Sequence, residues 1–144
     1  MNTLPLTPED EQLIAEARAT IARLYHPGKH HVGAALRTRS GKVFTGVSLD
    51  AYLGRMAICA EAVALGQAIT VAGETGIDTI VAVRHPPPEE KDGAIVVVSP
   101  CGACRELIWD YDRNARVIVP GRDSPETVGI TELIPNKYSR ERGT

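Results

Sequence analysis

Aromatic side chains are scarce in this chain, with one Phe, one Trp and four Tyr among 144 residues. A core built on large rings is thereby excluded, and the interior must be packed mostly from Val, Ile, Leu and Ala. Long apolar runs are missing as well. No stretch approaches the roughly 18 residues that a membrane-spanning helix needs. Met1-Asn2-Thr3-Leu4-Pro5 lacks the basic-then-apolar order of a signal peptide. Neither sign of charge dominates: 16 Lys and Arg against 18 Asp and Glu give a net charge of −2. Such a balance leaves no basic footprint for a phosphate backbone, so nucleic acid is not the expected partner. Cysteines number three, an odd count without the spacing of a secreted disulfide framework. Free thiols in a reducing cytoplasm are the expectation. Repeats and low-complexity tracts are absent too.

What remains is a chain that is 43% hydrophobic, enough for one domain over residues 1–144, with 1–6 and 139–144 expected as mobile tails. Thr7-Pro8-Glu9-Asp10 is a helix start: a capping hydroxyl, proline at the first position, then acid. Leu13, Ile14, Ala17, Ile21 and Leu24 follow at helical spacing, and Pro27-Gly28 stops the run. Residues 30–36 and 42–47 read as two strands joined in a hairpin through Thr38-Arg39-Ser40-Gly41. Residues 50–56 lack periodicity and read as a loop. The Ala-rich segment 58–71 predicts a helix ended by Gly73 or Gly76. Strands are expected at 79–83, 94–98 and 116–119, with a helix at 101–112 and a helical turn or two within 129–133. Strands alternating with helices after a hairpin imply a mostly parallel sheet covered on its faces, with sites opening where helices begin.

The cysteines fall at two such helix starts. Cys101-Gly102-Ala103-Cys104 follows the run Ala94 to Val98, and Cys59 stands in Ile58-Cys59-Ala60-Glu61. Residues three apart at the start of a helix share one face and can hold one ion. A helix N-terminus also carries partial positive charge, which favours thiolate over thiol. Three thiolates are one ligand short of a closed structural zinc. A three-ligand zinc keeps a position for water and lowers that water's pKa towards neutrality. Glu61, two residues after Cys59, can then move protons beside the metal without ligating it. Burial would raise its pKa and suit it to the task. Hydrolytic attack at an amidine-like ring carbon, with loss of ammonia, fits this equipment.

Other readings compete. Cys101 to Cys104 alone would also suit a thioredoxin-like redox pair, but no tryptophan precedes it, and Cys59 and Glu61 would be idle. A closed zinc site using His26, His30, His31 or His85 as fourth ligand also leaves Glu61 without a role. His30-His31 at a strand start reads as surface or pocket lining, and Trp109 as packing.

Taken together, Cys59-Ala60-Glu61 and Pro100-Cys101-Gly102-Ala103-Cys104 resemble the zinc-dependent cytidine deaminase family. The likeness spans about residues 10–138 and includes Val32-Gly33-Ala34-Ala35-Leu36, Phe44-Thr45-Gly46 and Leu133-Ile134-Pro135. It implies a three-layer α/β/α sandwich around a mixed, mostly parallel five-stranded sheet, and a homotetramer with pockets near subunit interfaces. It further implies one zinc on Cys59, Cys101 and Cys104, with Glu61 as the catalytic proton shuttle. The N–H of Ala60 and the C=O of Ser99 would hold the pyrimidine. The implied reaction converts the 4-amino group of a free cytosine nucleoside to a 4-oxo group.

Several positions depart from the cytidine-specific pattern. Where family members read ribose with Asn-x-Glu, this chain has Ser48-Leu49-Asp50. On residues alone Asp50 is a solvated turn residue; the family position gives it a binding role. His30 replaces a phenylalanine that stacks on the base, and Ala62 replaces an arginine that bonds the thiolates. Helix N-termini, and Arg105, are the candidates to offset the thiolate charge. Cys59 to Gly66 and Thr127 to Pro135 look more like the blasticidin S deaminase branch, in which Tyr138 would lie near the substrate mouth. Deaminases acting on bases in nucleic acid usually use histidine as first ligand and a basic surface. Cys59 and the slight acidity speak against that branch.

Overall fold

Thr7 opens α1 (Pro8–Leu24) with reciprocal bonds: its hydroxyl accepts the Asp10 N–H (3.2 Å) and Asp10 Oδ2 accepts the Thr7 N–H (3.0 Å). The sequence predicts the capping hydroxyl, and the reciprocal Asp10 bond completes a capping box. The computed structural model describes residues 1–140. Positions 141–144 of the expected C-terminal tail lie outside the described residues. The N-terminal tail is tied down instead: β1 (Leu4–Pro5) pairs with the sheet edge, and Asn2 N–H reaches the Glu132 carboxylate at 3.1 Å. Among the described residues no helix is long and apolar enough to cross a membrane.

The predicted hairpin is β2 (Val32–Thr38) with β3 (Val43–Val47), in register from Gly33↔Val47 to Arg37↔Val43. Next come α2 (Ala60–Ala72), β4 (Ile77–Arg84), β5 (Val96–Val98), α3 (Gly102–Tyr111), β6 (Arg116–Val119) and β7 (Glu126–Gly129). A 3₁₀ turn at Ile130–Glu132 follows β7. Gly73 ends α2 at φ 66°, the left-handed cap that glycine accepts without strain.

The sheet is mixed, as expected, but has seven strands rather than five, in the order β1-β7-β6-β4-β2-β3 with β5 on β4. The two additions are short, since β1 spans two residues and β5 three. The expectation that it is mostly parallel is corrected: among the described pairs only β4 with β6 is parallel, and the others are antiparallel. The cause is a skipped neighbour. The α2 crossover carries the chain from β3 to β4 in the same direction, but β2 lies between these strands and opposes both.

Strand alternation divides the core into two faces. Ala35, Val81, Val83 and Ile118 pack against Leu13, Ile14, Ala17 and Ile21 of α1. Ala34, Leu36, Ile80, Ala82, Val117 and Val119 pack against α2 and α3 on the other face. The result is the three-layer α/β/α arrangement. Both helix faces depend on missing side chains. A Cβ at Gly33 would stand 2.8 Å from the Ala17 carbonyl oxygen, and one at Gly46 would stand 2.6 Å from the Ala64 nitrogen. Because α2 rests directly on Gly46, its N-terminus is held at a fixed height above the sheet, which positions Cys59 and Glu61.

Candidate active site and metal centre

Two helices begin at the same place. Cys59 is the N-cap residue of α2 and Cys101 that of α3, with Cys104 in the first turn of α3. Their sulfur atoms all lie within 4.8 Å of one another, and Cys59 Sγ is 3.4 Å from Cys101 Sγ. A covalent disulfide would bring sulfurs to about 2.05 Å, and all three cysteines are free. Zinc held tetrahedrally at about 2.3 Å separates its sulfur ligands by about 3.8 Å. The trio therefore fits one ion. No histidine joins the group, so among the described residues the donor set is three sulfurs.

The thiols' acidities describe a cluster that wants a cation. Burial and the neighbouring Cys101 push the Cys59 pKa up. Burial and the charge of Glu61 push Cys104 up further. Burial also opposes ionisation of Cys101, but the Cys104 N–H (3.5 Å) and adjacent thiols outweigh it and hold its pKa down. One thiolate forms readily, and each additional one meets the charge already present. A bound dication removes that obstacle. Arg105, a sequence candidate for offsetting the charge, is engaged elsewhere: its Nε–H donates to the Pro100 carbonyl (2.9 Å) and its Nη1–H to the Leu133 carbonyl (3.0 Å). The two helix N-termini remain as the fixed positive partners.

Glu61 sits in the first turn of α2, only 5% exposed. Its Oε2 accepts from Cys104 Sγ at 3.6 Å. Burial holds its pKa above the ordinary carboxylate value, with its own backbone N–H and Cys104 pulling the other way. A carboxylate so placed adjoins the metal donors while standing outside their set.

A cavity of about 220 Å³ opens onto this cluster. Cys59, Ala60, Glu61, Cys101, Ser99, Ser48 and Asp50, all expected at the site, line it. Cys104 is buried beneath. Val32, Val98, Ala57 and Ile58 complete an apolar wall. Leu49 and Ile58 exchange two backbone hydrogen bonds of 2.9 Å, so the 50–57 loop leaves and returns at one point, placing Asp50 near Cys59. A larger hollow of about 380 Å³ beside β1 and β7 holds none of these residues.

Besides Cys104, two expected residues do not line the cavity. His30 is paired with His26 across the Pro27-Gly28 turn, and its Nδ1–H donates to the Ser48 carbonyl (2.8 Å). Tyr138 is 73% exposed, next to Lys137, whose ammonium binds Asp110 (2.7 Å) and Glu106 (2.9 Å) on α3. The histidine that does line the cavity is His31, its Nδ1 3.7 Å from Asp50 Oδ2. Ser48 has a structural task besides facing the cavity. Its hydroxyl oxygen accepts the N–H groups of His31 (3.2 Å) and Val32 (3.1 Å), fixing where β2 begins.

Three thiols at two helix starts, an adjoining buried carboxylate and a half-apolar cavity on an α/β/α frame define a hydrolytic zinc centre. Comparison with known proteins gives it a family. Residues 7–120 match the model of the cytidine and deoxycytidylate deaminase zinc-binding region. The chain is 46% identical to blasticidin-S deaminase of Bacillus cereus over 140 residues, covering 97% of this chain and 99% of that one. It is 30% identical to cytidine deaminase of Sporosarcina psychrophila over 135 residues, covering 91% and 92%. The crystal structure of cytidine deaminase from Burkholderia pseudomallei superposes with a TM-score of 0.72 at 26% identity, covering 92% of this chain and 100% of that one. The chain belongs to the cytidine and deoxycytidylate deaminase family, whose members are zinc-dependent hydrolytic deaminases.

Proposed function

We propose that this protein hydrolyses the 4-amino group of a free cytosine nucleoside, giving the 4-oxo product and ammonia. The observation that carries the proposal is three sulfurs within 4.8 Å of one another with the Glu61 carboxylate 3.6 Å from one of them. Cys59, Cys101 and Cys104 would hold zinc, which supplies Lewis-acid activation of water. Glu61 takes one proton from the attacking water and delivers it to ring N3, then takes the second from the hydroxyl formed on C4 and delivers it to the departing nitrogen. Water oxygen first adds to C4 as N3 is protonated, and the tetrahedral carbon then breaks its bond to the amino nitrogen, which leaves as ammonia. Ala60 N–H and Ser99 C=O orient the ring, and Ser48 and Asp50 face the sugar. His30 acts through the Ser48 carbonyl. Tyr138 reaches substrate only in an assembly.

Blasticidin S is the second substrate reading, and the 46% identity over nearly the whole chain favours it. The test is the loss of cytosine absorbance with cytidine, deoxycytidine and blasticidin S under equal conditions. The main reading expects the highest kcat/KM on cytidine or deoxycytidine. A rate on blasticidin S roughly tenfold above both (about 1.4 kcal/mol in transition-state binding) would transfer the assignment to it.

We also infer a homotetramer in the cytoplasm. Free cysteines suit a reducing compartment. The 50–57 loop beside the cavity carries Tyr52 at 102% exposure with Leu53 and Met56 also exposed, and α2 turns Val71 outward. Exposed apolar side chains of this kind suit burial against further copies. Light scattering on the zinc-loaded protein should report four chains, and a monomer at micromolar concentration would overturn the inference.

A further inference from the structure

The three sulfurs are not equivalent towards a small solute. Cys59 and Cys101 line the cavity, Cys101 being exposed and Cys59 half-buried. Cys104 lies beneath at 2% exposure and lines none of it. Its Sγ donates to Glu61 Oε2 at 3.6 Å, so its hydrogen bond is directed to the carboxylate. The Cys59 and Cys101 sulfurs stand 3.4 Å apart, although 42 positions separate them in the chain.

Cys101 and Cys104 have the spacing from which a redox disulfide is ordinarily expected. The geometry selects a different pair. Cys59 and Cys101 are both N-cap residues with extended backbones, ψ 150° and 166°, outside the turns that follow them. Each can rotate about its Cα–Cβ bond without disturbing its helix. Cys104, inside the first turn of α3, would have to leave Glu61 to reach the oxidant.

We propose that Cys59 and Cys101 form an oxidation site: a peroxide joins them in a disulfide across the N-termini of α2 and α3, and zinc is lost. The proposal rests on the deaminase reading above, in which these sulfurs hold the metal, and adds the regulation of that site by oxidant. The exposed Cys101 sulfur attacks one peroxide oxygen, so an S–O bond forms, the O–O bond breaks and hydroxide leaves. The Cys59 sulfur then displaces the second hydroxide, and the S–S bond forms as the S–O bond breaks. Two electrons pass from sulfur to peroxide. Starting from three thiolates, solvent supplies three protons: two turn the hydroxides into water and one restores the Cys104 thiol. A single remaining donor is too few to retain zinc. A dithiol reductant returns two electrons and two protons to the disulfide and restores the donor set.

The test treats full-length, zinc-loaded protein with hydrogen peroxide. Zinc is followed with a chromogenic chelator too weak to strip the untreated protein, and alkylated peptides are mapped by mass spectrometry. Zinc should fall from about one per chain to near zero, in step with loss of two of the three alkylatable thiols. The cross-linked peptides should carry Cys59 and Cys101, with Cys104 recovered alkylated. Dithiothreitol and added zinc should restore both occupancy and thiols. A Cys101–Cys104 cross-link, sulfinic or sulfonic acids without a cross-link, or zinc released with all thiols intact would each overturn the proposal. So would unchanged zinc and thiols under peroxide that oxidises a free cysteine peptide. Protein that holds no zinc before treatment would instead sink the deaminase reading, while the peptide map still decides which sulfurs pair.

Discussion

Glu61→Gln is expected to leave about one zinc per chain and to lower kcat by roughly 10²- to 10⁴-fold, the usual worth of a positioned acid–base group. The substitution keeps the side chain's shape, so packing around α2 is preserved. It removes the one group beside the sulfurs that can accept a proton and return it. Because the metal donors are Cys59, Cys101 and Cys104 and not Glu61, zinc content should not follow activity down. Stability gives an independent check on folding. Burial raises the Glu61 pKa in the folded protein, so its charged form costs the native state stability. That cost is absent below the unfolded-state pKa and is fully expressed as pH rises through the folded-state value. At neutral pH the metal-stripped variant should therefore melt no lower than the metal-stripped parent. Metal analysis, steady-state rates and a melting curve on one preparation check all three outcomes. Retention of most activity would remove Glu61 from the chemistry.

Much of this site was legible because short-range chemistry writes it. Thr7-Pro8-Glu9-Asp10 names its own cap, Gly73 its own left-handed stop, and Cys101 to Cys104 a pair on one helical turn. Strand neighbours were less legible. The segments around α2 and α3 both look like parallel crossovers from within. The α3 helix instead follows β5, which opposes β4, and leads into β6, which pairs with β4 as the parallel pair among the described strands. Nothing local to α2 says that β2 will lie between β3 and β4. The β7 strand was missed for a related reason. Glu126-Thr127-Val128-Gly129 buries both Thr127 and Val128, so the polar–apolar alternation of a half-exposed strand is absent.

The histidine pair shows a finer limit. Val32, Ala34 and Leu36 pack towards the α2 face, and strict alternation would add His30 to that row. Alignment by motif selects the same residue. The regular strand begins only at Val32, however, because the His26–His30 turn and the Ser48 hydroxyl hold the residues before it. His31 consequently takes the cavity wall. The Ser48 hydroxyl bonds that help impose this shift join residues 17 and 16 positions apart, beyond any local pattern.

Cys104→Ala is expected to abolish both metal binding and activity, and to destabilise the fold more than its size suggests. The side chain lost is small, and a cavity of one sulfur atom costs only about 1 kcal/mol. Its larger role is to be the buried third donor, deepest in the trio and closest to Glu61. Without it Cys59 and Cys101 offer two sulfurs, a donor set too small to retain zinc against a chelator. Metal that binds only the folded chain contributes its binding free energy to stability. The variant should therefore melt well below the zinc-loaded parent and close to the metal-stripped parent. This pairing separates the two contributions: the gap between variant and stripped parent measures packing, and the gap between stripped and loaded parent measures the metal. Zinc retained at full occupancy in Cys104→Ala would mean that another residue completes the set, and the three-sulfur centre would have to be abandoned.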